Sequence, residues 1–216
     1  MEPIGYSPAQ NPAHGVLGGT EADFQFTLFM WAIMTAIMMI PIVWPWVRAL
    51  EKHGPSSSAR GVLPAFVLGY GVAWSGFSVM MASTQVLLAG FGAPSPLTSS
   101  APSWAGGALV LAGSFQFTRL KSACLTHCRS PFGYFAAQWR PGVRGAFSMG
   151  ARHGLFCLGC CWAVMALALV VGMMDVRMMT VLMGIMVIET LTPVGTRMSR
   201  PIGVILVLCG IALFLA

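Results

Sequence analysis

The chain has 216 residues, 56% of them hydrophobic and only 8% charged, with a net charge of +6 and a mean hydropathy of +0.77. A soluble domain carries roughly 25% charged residues, so this composition excludes a soluble globular protein and predicts one polytopic membrane domain in a lipid bilayer. The positive charge then reports topology, and no nucleic-acid partner is expected.

Residues 1–23 hold no basic residue and include Pro3, Pro8, Pro12, Gly15, Gly18 and Gly19. They read as a polar, irregular N-terminal segment ahead of a single transmembrane helical domain over 24–216, and not as a cleavable signal peptide. Without a secretory signal, disulfides are not expected and the cysteines are free to act as ligands. Runs apolar enough to cross roughly 30 Å of hydrocarbon predict an all-α bundle of about six helices. These cover 24–47, 62–91, 104–122, 148–173, 176–194 and 201–216, the first broken near its end by Pro41 and Pro45.

The loops between these runs share the charge unevenly. Arg48, Lys52 and Arg60 fall in the first, Arg119, Lys121, Arg129, Arg140, Arg144 and Arg152 around the third, and Arg197 and Arg200 in the fifth. Eleven of twelve basic residues therefore lie on one side, leaving Arg177 with Glu2, Glu21, Asp23 and Asp175 on the other. Lys and Arg collect in cytoplasmic loops, which puts loops one, three and five inside and both termini outside. Trp31, Trp44, Trp46, Trp104 and Trp139 fall near the expected interfaces and read as an aromatic belt.

Five of six cysteines form two clusters with two of the four histidines. Cys124, His127 and Cys128 are spaced i, i+3, i+4, and lie on one face if the third helix runs on to Ser130, before Pro131 stops it. His153, Cys157, Cys160 and Cys161 are spaced i, i+4, i+7, i+8, in the first turns of the fourth helix. Consecutive antiparallel helices can bring both clusters together near the inner side, where thiolates and imidazoles hold a soft or borderline metal. Cys209 stands alone and reads as packing.

The sixteen methionines add a looser signal. Met30, Met34 and Met38 stack at i, i+4, i+8 on the first helix beside Met39. Met80 and Met81 lie in the second helix, and Met173, Met174, Met178, Met179, Met183 and Met186 lie around and beyond the outer turn before the fifth. Thioethers bind Cu(I) and thiolates bind it more tightly, so outer methionines leading to inner cysteines would form a graded path, which favours copper over zinc. Each methionine taken singly is a flexible apolar filler. Glu189, inside the fifth helix, is a functional candidate by its position in a span: a further ligand, a proton carrier, or the partner of Lys121 or Arg119. The chain has no GxxxxGK[ST], GxGxxG or HExxH motif and too few carboxylates for a bridged di-metal centre, so no catalytic motif is present.

Three strings carry a resemblance: Trp31-x-x-Met34-x-x-x-Met38-Met39-x-Pro41; Lys121-x-x-Cys124-x-x-x-Cys128-Arg129-Ser130-Pro131; and Gly154-x-x-Cys157-Leu158-Gly159-Cys160-Cys161-Trp162 with Gly172-x-Met174. Over residues 24 to 192 the chain resembles a prokaryotic family of unknown function described as predicted metal-binding integral membrane proteins. The resemblance implies a bacterial inner-membrane location and metal binding at Cys124, Cys128, Cys157, Cys160 and Cys161. The chain departs from that pattern at Asp175, where Asn is expected, and at Thr190, where Lys is expected after Glu189. The missing Lys would leave Glu189 freer to act as a ligand or proton carrier.

Three readings of function follow. The first is Cu(I) relay or delivery, with a membrane metalloenzyme or a metal chaperone as partner. The second is a subunit of a membrane metalloenzyme or oxidoreductase complex. The third is a scaffold tied by structural zinc.

Overall fold

A computed structural model describes residues 20–53, 59–90, 102–171, 176–192 and 194–215. These form eight helices: α1 (Thr20–His53), α2 (Ala59–Gly90), α3 (Pro102–Phe115), α4 (Arg119–Cys128), α5 (Pro131–Gln138), α6 (Gly142–Val171), α7 (Val176–Leu191) and α8 (Gly195–Leu215). The all-α class holds, but the expected count of about six does not. Four helices, over 23–52, 61–90, 142–170 and 195–215, are long and apolar enough to cross a membrane. At 1.5 Å per residue, α3 and α7 reach only about 21 and 24 Å.

The third expected helix is cut in two. The backbone N–H groups of Gln116, Phe117 and Thr118 donate to carbonyls three residues back, at 3.0–3.1 Å, which tightens the end of α3. Thr118 is extended, and its Oγ1 accepts from the Lys121 N–H at 3.3 Å, capping a new helix. Pro131 does not merely end α4; it sits in the first turn of α5, where its missing N–H costs nothing. Gly142, at φ +80°, turns the chain into α6 six residues before the expected start at 148. The expected break at Pro41 and Pro45 is also absent, since α1 runs through both to His53; neighbouring helices can satisfy backbone groups that a membrane proline frees. Most of residues 1–23 and all of Met173, Met174 and Asp175 lie outside the described residues.

Helix direction follows from which residues touch. Trp31 meets Phe77 and Gln85, and Trp46 meets Phe66, so α1 and α2 are antiparallel. A Cβ on Gly150 would strike the Phe66 carbonyl, and one on Gly154 would lie 3.1 Å from that of Tyr70, so α2 and α6 run parallel. Gly106 faces Gly210 and Gly113 faces Gly203, so α3 and α8 are antiparallel. The short α3 and α4 together thus return the chain between α2 and α6, as α7 does between α6 and α8. The end of α1, the start of α2 and the approach to α6, which bear Arg48, Lys52, Arg60, Arg140 and Arg144, therefore meet at one end of the bundle.

Small residues set these approaches, because backbones close up only where no side chain intervenes. Gly150→Val should lower thermal stability by about 1–3 kcal/mol, through overpacking against the backbone at Phe66. Melting of the purified protein in detergent tests this. Unchanged melting would mean that the α2–α6 contact is not tight.

The interior holds two apolar clusters. One joins α1, α2, α3, α4, α6 and α7 around Trp31, Met38, Met39, Trp74, Phe77, Met165 and Met186 and contains all five clustered cysteines. The other, nearer the basic end, gathers Phe66, Tyr134, Phe135 and Met149 around Trp46.

Candidate metal centre

Helix spacing alone brings Cys157 and Cys160 to one face of α6, three residues apart. The Thr118 cap sets where α4 starts, and its last residue, Cys128, packs against that face. The sulfurs of Cys128, Cys157 and Cys160 all lie within 4.8 Å of one another, and all three residues are buried, Cys157 completely. The Cys128 and Cys160 sulfurs are 3.8 Å apart. A metal–sulfur bond of about 2.3 Å places the donors of a trigonal site about 4.0 Å apart, so the spacing suits a single ion among three sulfurs.

The remaining candidates stand at differing distances from this trio. Cys161 Sγ is 3.4 Å from Cys160 Sγ but falls outside the mutually close set. Cys124 is buried one turn before Cys128 and also falls outside it. A Cβ on Gly159 would lie 2.8 Å from the Cys124 sulfur, so the glycine makes room for that thiol. Cys209 is exposed on α8. His153 is fully buried with neither ring nitrogen hydrogen-bonded, and its ring stacks on Trp46 at 3.6 Å. His127 stacks on Phe156 at 3.9 Å, and its Nε2 is likewise buried without a partner. The two imidazoles, 6.3 Å apart, form a layer beside the thiols, on the side of the basic end.

The cysteines do not occupy the first turns of their helix, as the sequence suggested. Because α6 starts at Gly142, Cys157 is its sixteenth residue, about 22 Å along. The site lies midway through the bundle.

Glu189 is not among the close donors. Its Oε2 accepts from Lys121 Nζ at 2.7 Å, with both side chains almost wholly buried. The charge expected from a neighbouring Lys, absent at Thr190, is thus supplied from α4, and the expectation of a freer Glu189 gives way to a paired one. Only its Oε1 lacks a partner. Of the methionines, Met38 is buried in the cysteine-bearing core, Met34 packs against it, and Met30 is half-buried one turn further out.

Two residues beside the thiols carry no sequence signal. The Tyr70 hydroxyl lies 3.3 Å from Cys157 Sγ, where it can donate to a charged sulfur. Trp46 was expected at an interface, yet it is 1% exposed and its indole N–H donates to the Cys128 carbonyl at 3.0 Å. Trp31 is likewise buried, its N–H on Gln85 at 2.8 Å, whereas Trp44 and Trp104 are exposed as a belt requires. Aromatic residues read equally well as belt or core, so only the fold separates Trp46 from Trp44.

No curated protein and no solved structure matches the chain. A family model described as a copper chaperone, PpoB2, matches residues 28–213.

Proposed function

Because this chain belongs to the PpoB2 copper chaperone family, we propose that it binds Cu(I) within a membrane and hands it to a protein recipient. The observation that carries this reading is the convergence of Cys128, Cys157 and Cys160 from two helices in a buried, apolar setting. Thiolates select Cu(I), an ion satisfied by two or three sulfurs. Structural zinc takes four donors, and among the described residues no histidine or carboxylate joins the close trio. Cys161 and Cys124, each a short distance off, are reserve donors for an ion in transit, and His153 and His127 flank the pathway toward the basic end.

Methionines favour the same ion. Met34, Met38, Met81, Met165, Met183 and Met186 belong to, or pack on, the core that holds the thiols. Their thioethers give weak, proton-independent stations for Cu(I) ahead of the stronger thiolates. The gathering of basic residues makes their end cytoplasmic by the charge rule, with both termini outside. The chain then conducts copper inward through a bacterial inner membrane, toward a membrane metalloenzyme or a metal chaperone.

Titration of reduced protein with Cu(I) against a chromophoric chelator tests the reading. One tightly held equivalent is expected, with a sulfur-only shell in X-ray absorption and no zinc retained after dialysis against chelator. Zinc retention with a four-donor shell would favour the scaffold and overturn the relay.

A further inference from the structure

A second site lies apart from the thiols, where the junction of α3 and α4 meets the start of α8. The segment from Gln116 to Leu125 and the start of α8 enclose a cleft of about 510 Å³. Arg119, Arg197 and Arg200 line it together with the hydroxyls of Thr118, Ser122, Thr196 and Ser199. No acidic side chain is among its walls. Lys121 also reaches it, but Glu189 cancels that charge. The three arginines are exposed, and none is in an ion pair among the described residues. The surplus of positive charge is therefore uncompensated.

Two further observations point to a ligand. Gln116, in the cleft wall, is 4% exposed, yet neither its amide nitrogen nor its amide oxygen has a hydrogen-bond partner. A buried amide left in that state is costly unless something else satisfies it. The N-termini of α4 and α8 also open onto the cleft, and helix starts favour negative charge.

We propose that this cleft binds a phosphate group, held by Arg119, Arg197 and Arg200 with Gln116 at its floor. Arginine forks match phosphate oxygens two at a time, and hydroxyls complete the shell. The phosphate can come from an anionic lipid headgroup or from a soluble phosphate.

The two sources are separable with the full chain in nanodiscs. One arm adds phosphatidylglycerol to phosphatidylcholine discs. The other adds inorganic phosphate to pure phosphatidylcholine discs, with chloride at matched ionic strength as reference. Melting temperature and native mass spectrometry of retained lipid are the readouts. A response to the lipid alone identifies a headgroup site, and a response to inorganic phosphate a soluble one; either supports the proposal if Arg197→Gln/Arg200→Gln weakens it by about tenfold or more. Arg140→Gln/Arg144→Gln removes equal charge elsewhere and should leave the response intact. If the first pair does not fold, Arg119→Gln serves in the same comparison. No response in either arm, or equal loss in both charge-matched pairs, overturns the proposal.

Discussion

Cys157→Ser should cut Cu(I) affinity by at least about 100-fold, beyond the range for losing a mere supporting partner of a ligand. Its sulfur belongs to the close trio, is completely buried and has the Tyr70 hydroxyl 3.3 Å away. Serine keeps the shape and can bond to Tyr70, but its oxygen is a poor donor to a soft ion. Melting should change little, so loss of copper would not reflect loss of fold. Cys209→Ser, exposed on α8, should bind as the parent does, and Cys124→Ser should keep the one-equivalent stoichiometry. Competition titration of these three variants decides the matter. Parent-like copper binding by Cys157→Ser would remove the thiol trio from the proposal.

Lys121→Met should destabilise the protein by about 3–5 kcal/mol, because it strands the Glu189 carboxylate in the interior. At about 2–4 °C per kcal/mol for a chain of this size, the melting temperature should fall by about 6–20 °C. The double variant Lys121→Met/Glu189→Gln removes both charges and should recover most of the loss, as an apolar replacement of a whole buried pair commonly does. Thermal unfolding in detergent supplies the comparison. If the single variant melts like the parent, the pair is not the buried clamp its geometry describes. The double variant should also keep one equivalent of copper, which separates a structural Glu189 from a ligating one.

The helical class was legible because composition leaves few alternatives, and four of the six expected runs match helices long and apolar enough to cross a membrane. That the two cysteine-bearing segments are neighbours was also legible from chain order, but which of the seven candidate donors come closest, Cys128, Cys157 and Cys160, was not. The break at 116–118 was not. Gln116 and Thr118 are two polar residues in an apolar run, and only the Thr118 cap and the tightened turn show that the helix restarts. That break moved the third helix boundary, and the early start at Gly142 moved the cysteines to mid-bundle. Arg119, Arg197 and Arg200 were visible in the sequence as topology markers. Their convergence with Gln116 depends on α3 and α8 packing antiparallel through their glycines, a long-range contact with no local signature.

The trio of sulfurs is mechanically unequal. Cys157 and Cys160 are carried on the same long helix, so their backbones hold a fixed spacing and their sulfurs a narrow bite. Cys128 rides at the tip of a ten-residue rod, anchored by the Lys121 ion pair near one end and by the Trp46 indole at the other. In the proposed relay, a recipient thiol would displace the third sulfur while the other two kept their grip, so the cargo would never be set free between donor and acceptor.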